Sequence, residues 1–263
     1  VSVRRERAVP LAVASSGLLL FLGLPLVLVA FSLPPAELLG HLRSETASRA
    51  LRLTLQTTTA ATVCCVVLGT PLAFLLARRS FRGRAAVDTL VDLPVTIPPV
   101  VAGVALLLCF GRRGLLGRHL DAAGIAIPFT TVAVVMAQVF IASPFFVRAA
   151  RAGFEGVDVR LEQAARTLGA GPWRVFWTVT VPLARPALLA GIVLAWARAL
   201  SEFGATMMFA GNLPGRTQTL TLAVMSAMES DLDTALAIST LSLIVGVAAL
   251  LVAKAIAGGR APA

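Results

Sequence analysis

The sequence predicts an all-α membrane protein of six transmembrane helices with short helices at the membrane surface. Two observations carry this. Of the 263 residues 57% are hydrophobic and only 14% charged, against about 25% charged in soluble domains, and mean hydropathy is +0.87. The apolar residues also fall in charge-free runs, at 8–36, 53–77, 93–111, 122–147 and 234–253. Each is close to or beyond the roughly 20 residues needed to cross a ~30 Å hydrocarbon core. A sixth run, 181–203, is interrupted by Arg198 and Glu202. Spans are therefore expected at about 10–31, 53–77, 93–110, 125–147, 181–203 and 235–256, in one transmembrane domain over 1–263. Disordered, fibrous and secreted disulfide-rich classes are excluded.

The first run follows Arg4-Arg5-Glu6-Arg7, as a signal peptide would open. Its apolar stretch exceeds the ~7–15 residues of a signal core and no clear cleavage site follows, so a retained span is expected. The second carries Thr54, Thr58 and Thr62 at helical spacing, a hydroxyl stripe suited to helix packing or to a hydrated path. The third opens Asp92-Leu-Pro-Val-Thr-Ile-Pro-Pro-Val-Val-Ala-Gly103, and the fifth Val181-Pro-Leu-Ala-Arg-Pro-Ala-Leu-Leu-Ala-Gly191. The shared proline spacing suggests a faint parallel repeat. Arg198 and Glu202 stand one helical turn apart, about 25 Å along the fifth span at ~1.5 Å per residue. There they read as a snorkelling, mutually neutralising pair or as a polar contact at a pathway mouth.

The formal charge of +10 and pI near 11.5 would suit nucleic acid, but the placement of the charges points to topology instead. Most of the 23 basic residues fall on the N-terminus, 78–92, 148–185 and the C-terminus. Six spans place these on one side, and the positive-inside rule makes that side cytoplasmic. The loop from Arg112 to Arg118 runs against the bias. Cys64, Cys65 and Cys109 lie in spans without metal-ligand spacing and read as inert buried thiols. His41 and His119 fall in outer loops.

The segment 155–180 carries the strongest local signal. Asp158 is a good N-cap, and Leu161, Ala164, Ala165 and Leu168 recur at helical spacing. Gly169 and Gly171 end that helix and Pro172 can start another. Two short helices are expected at the inner face, presenting small residues and the Glu162 carboxylate to the cytosol. An interfacial amphipathic helix is the competing reading.

With Glu162, Ala165 and Gly169 at its motif positions, this segment resembles the Glu-Ala-Ala…Gly loop of ATP-binding-cassette importer permeases. Gln163 stands where the commonest form has alanine. The resemblance extends to the molybdate permease branch through residues 155–176, through 197–220 and through 93–103 with Gly111-Arg-Arg-Gly114. Sulfate permeases carry looser versions. Gly204-Ala-Thr and Asn212-Leu-Pro-Gly-Arg-Thr217 favour molybdate or tungstate.

The resemblance implies the type I importer permease fold, two copies enclosing the pathway, and two cytosolic ATPases that use ATP and Mg. It also implies an extracytoplasmic substrate-binding protein. ATPase docking is expected at Asp158, Leu161, Glu162, Ala165, Leu168, Gly169 and Gly171. Pathway or gate candidates are Thr58, Thr96, Pro98, Ala102, Arg198, Glu202, Gly204, Ala205 and Thr206. The chain itself is expected to bind no cofactor or metal. A P-loop needs lysine after glycine-rich backbone, and the only lysine, Lys254, is flanked by alanines. A secondary anion transporter and a membrane-embedded enzyme are the alternatives. Two loop histidines and no tyrosine leave the latter little acid–base equipment.

Overall fold

The computed structural model describes the backbone of residues 2–258 and the side chains of 15–252. Arg4, Arg5, Arg7, Lys254 and Arg260, which enter the charge bias, have side chains outside that range. All regular structure among the described residues is helical. Four helices are long and apolar enough to cross a bilayer: Glu45–Arg78, Thr131–Glu155, Pro172–Leu200 and Leu232–Val252. Two bent pairs would raise the number to six.

The first helix, α1 (Ser2–Ala30), turns by 76° into α2 (Pro35–Leu42). Then α3 (Glu45–Arg78), N-capped by Ser44, runs on as one helix of 34 residues despite Pro71 in its interior. Next come α4 (Arg84–Thr96) and α5 (Pro99–Phe110). The third span, expected as one helix, is broken here with a 118° bend. Pro98 and Pro99 in tandem cause the break. Proline disfavours helical backbone in the residue before it, and Ile97 is extended at φ −84°, ψ 145°. A short α6 (Gly117–Ala122) precedes α7 (Thr131–Glu155).

Beyond α7 lie α8 (Val159–Thr167) and α9 (Pro172–Val175), which runs through a π-helical turn, Phe176–Thr180, into α10 (Val181–Leu200). The second short helix expected at Pro172 is therefore the start of the fifth span. The wide π turn re-spaces the backbone just before Pro182 and Pro186, so these prolines sit in continuous helix. The two proline-rich openings share spacing but not structure, and the suggested repeat does not appear. The chain ends with α11 (Gly204–Ala210), α12 (Leu220–Met228) and α13 (Leu232–Gly258).

Three small-residue cores hold the bundle. Ala61, Ala73, Phe146, Ala150, Ala184 and Ala195 join α3, α7 and α10. Ala102, Ala137, Ala205 and Phe209 join α5, α7 and α11. Ala47, Leu220, Ala223 and Ile238 join α3, α12 and α13. Small side chains let backbones approach closely, which drives helix association in lipid where hydrophobicity gives no advantage. Along the α8 end of α7, ion pairs Arg84–Glu155 (3.7 Å), Arg151–Asp88 (2.6 Å) and Arg148–Asp92 (2.6 Å) set α4 antiparallel to α7.

Candidate functional site: a clamped surface helix and two facing helix breaks

At one end of the bundle α8 is built as a rigid unit. The Asp158 carboxylate accepts from the Arg160 N–H at 2.9 Å, and Gly169 closes the helix at φ +86°. A side chain there would be strained, although a Cβ would meet open space. Leu161 and Leu168 face outward, 49% and 88% exposed, with Gly171 also exposed and Ala165 half-buried.

Glu162 departs from expectation. It points inward, 5% exposed, and accepts from Arg78 at 2.7 Å and from the Thr180 hydroxyl at 2.9 Å. Arg78 also donates to the Val157 carbonyl at 3.0 Å. The carboxylate is thus spent on tying α8 to the end of α3 and to the π turn. Beneath it Phe74, Phe154 and Phe176 pack edge to face or tilted, with Phe74 5.5 Å from Phe154 and 5.0 Å from Phe176. The cytosol-facing role expected of Glu162 does not hold. The physical reason is that the Arg78 guanidinium is itself mostly buried there, and a buried charge left without its partner is costly.

Farther along, the α4–α5 break meets a second break between α10 and α11. Gly204 lies against Pro99 and Val100, where an added Cβ would come within 3.1 Å of Pro99. Gly103 is closer still, its Cβ position 2.7 Å from the Ala205 carbonyl oxygen. Glu202 organises this junction. It is 1% exposed, accepts from the Ala205 N–H at 2.7 Å and so caps α11, with its other oxygen 3.3 Å from Arg198. The pairing is as expected, but Glu202 is an interior cap and not a snorkelling group.

Thr58, Ala102, Gly204, Ala205 and Thr206 are all buried within the chain. Thr96 and Pro98 remain exposed at the break, beside Val100, Phe203 and Met208. Packing accounts for the threonine stripe. Thr58 and Thr62 donate back to the Thr54 and Thr58 carbonyls, while the Thr54 hydroxyl accepts from the Leu220 N–H at 2.8 Å. Thr221 donates to the Glu202 carbonyl at 2.9 Å, joining the stripe's neighbour to the break.

The Asn212–Thr217 motif is likewise structural. The Thr217 hydroxyl accepts from the Leu213 N–H and donates to the Gly211 carbonyl, and Asn212 donates to Ser226 at 2.7 Å. At the end opposite α8, Arg112, Arg113 and Arg216 line an open cavity of about 750 Å³. Beyond α12, the Thr234 hydroxyl bonds to Asp231 and holds its carboxyl below the usual range. Sequence reasoning missed Arg78 and Thr180 as partners of Glu162. A basic residue closing a span was visible, but nothing in the sequence pointed to Thr180.

A family model, "Binding-protein-dependent transport system inner membrane component", matches residues 69–259. The molybdenum transport system permease protein of Mycobacterium bovis is 43% identical over 244 residues, covering 93% of this chain and 91% of that protein. Its Escherichia coli counterpart is 45% identical over 183 residues, 69% of this chain and 80% of that protein. Among solved structures, a bacterial ABC transporter involved in alginate import aligns with TM-score 0.78 at 15% identity, covering 99% of this chain and 98% of that one. At that identity the likeness is one of fold.

Proposed function

Since the chain belongs to the binding-protein-dependent transport system inner membrane component family, we propose that it is the permease subunit of an ATP-driven molybdate or tungstate importer. Two copies enclose the pathway, and the exposed groups at the facing breaks, Thr96, Pro98 and Met208, form its wall. Two cytosolic ATPases dock on α8, and an extracytoplasmic binding protein delivers the oxyanion to the opposite end. ATP and Mg are used by those partners. Both termini lie on the α8 side, which is cytoplasmic.

The observation that carries this reading is the pairing of an outward apolar surface on α8 with an inward clamp. Leu161 and Leu168 are available to a partner, while Glu162 fixes the helix to two spans. A ligand's work on one site reaches another only through an element that both bias, and a clamped helix is such an element. The molybdate assignment is supported by relatives at 43% and 45% identity that are molybdenum permeases.

Uptake into vesicles by the reconstituted complex tests it. Molybdate and tungstate should accumulate only with ATP and the partner proteins, and sulfate poorly. Gly169→Asp should insert normally yet lose uptake and recover its ATPase poorly. Uptake without an ATPase would favour a secondary transporter, and sulfate preference would favour a sulfate permease.

A further inference from the structure

The α8 end carries a feature that the transport reading leaves unused. A cavity of about 760 Å³ opens between α3 and the start of the long helix Pro172–Leu200. Its walls are apolar, with Val67, Pro71 and Leu75 on α3 and Trp173, Phe176 and Trp177 opposite. Trp173 and Trp177 are 72% and 59% exposed, with ring centroids 6.3 Å apart. Arg79, Arg166 and Glu162 complete the lining. Glu162 is neutralised by Arg78, whereas neither Arg79 nor Arg166 has an ion-pair partner among the described residues. The result is an apolar slot with two uncompensated guanidiniums.

We propose that this slot holds an anionic phospholipid, its acyl chain against the α3 wall and the tryptophans and its phosphate at Arg79 and Arg166. Indole rings favour the level where hydrocarbon meets head groups. Guanidinium forks match phosphate oxygens, and basic pockets between membrane helices take acidic head groups. A second copy of the chain is a poorer occupant. A two-fold contact with the slot on its axis would bring the same arginines together. A peptide strand is poorer still, because apolar walls leave its backbone groups unsatisfied. Arg166 belongs to α8 and Arg79 follows α3 directly, so one head group would brace the same two elements that Glu162 joins. The inference needs only a membrane-embedded chain, and it stands or falls apart from the transported substrate.

The chain's three tryptophans make a direct test possible. Trp196→Phe leaves Trp173 and Trp177 as reporters in the full-length permease, reconstituted with either phosphatidylglycerol or phosphatidylcholine brominated in its acyl chains. At equal mole fraction, brominated phosphatidylglycerol should quench severalfold more strongly. The preference should vanish in the Arg79→Gln, Arg166→Gln double variant, whose exposed substitutions should leave helical content by circular dichroism unchanged. Millimolar inorganic phosphate should not relieve the quenching, since the slot takes a lipid and not a free anion. Equal quenching by the two lipids, or a preference that survives the double variant, would overturn the proposal. So would relief by phosphate, or protection from both lipids, which would mean that protein covers the slot.

Discussion

Glu162 and Glu202 are both buried carboxylates beside an arginine, yet they hold the molecule in different ways. The partners of Glu162, Arg78 and Thr180, lie 84 and 18 residues away and belong to other elements. Those of Glu202 are local, Arg198 one turn before and the Ala205 N–H three residues after. A carboxylate with remote partners fixes how elements stand to one another. A carboxylate with local partners fixes only the turn it sits in. At the α8 end a side-chain carboxylate therefore ties separate elements together, whereas at the facing breaks the ties between elements come from backbone, through Thr221 on the Glu202 carbonyl and the close approach of Gly103 to Ala205.

The largest effect is expected at the remote clamp. Glu162→Ala would strand the mostly buried Arg78 guanidinium, at a cost of about 3–5 kcal/mol for breaking a buried pair. Thermal unfolding in detergent should show this, with Glu162→Gln milder because it still accepts from Thr180. Next comes the contact between the two breaks. Gly103→Ala places a methyl against the Ala205 carbonyl, and overpacking of this kind costs about 1–3 kcal/mol. The same unfolding assay checks it.

At the local cap the effect should be smaller. Glu202→Ala removes the α11 cap, worth about 0.5–2 kcal/mol. It leaves Arg198, whose side chain is 25% exposed and can reach water. Replacing Arg198 as well should recover part of the loss, and a double variant worse than the sum of the singles would contradict the pairing. Smallest is a pH effect at the α12–α13 turn. Thr234 holds the Asp231 carboxyl below its ordinary value. Its contribution is then present above the unfolded pKa of ~3.9 and lost as pH falls through the lower folded value. Asp231→Asn should remove that acid dependence from the unfolding midpoint.

The fold class was readable because a charge-free run of bilayer length is stable in few settings besides a membrane. The capped α8 was readable too, since Asp158 and Gly169 act through local backbone. What the sequence hid depends on remote partners or on one extra residue. The inward turn of Glu162 requires Arg78 and Thr180, which spacing cannot bring together. Pro94 and Pro98 looked equivalent to Pro182 and Pro186. Adding Pro99 breaks the first helix, and the π turn at Phe176–Thr180 spares the second. Thr54 read as one of a stripe, although its hydroxyl accepts from Leu220, 166 residues distant.

On the proposed function, Glu162 transmits movement within the chain while Leu161 and Leu168 meet the ATPase. Measuring ATPase recovery together with ATP hydrolysed per oxyanion taken up, in Glu162→Ala and in Leu161→Asp with Leu168→Asp, separates the two roles. The clamp variant should keep its ATPase and waste ATP, with the ratio rising by roughly tenfold, inside the range of ordinary coupling energies. The leucine variant should lose the ATPase altogether. Loss of the ATPase from Glu162→Ala, with normal recovery and uptake in the leucine variant, would contradict the account.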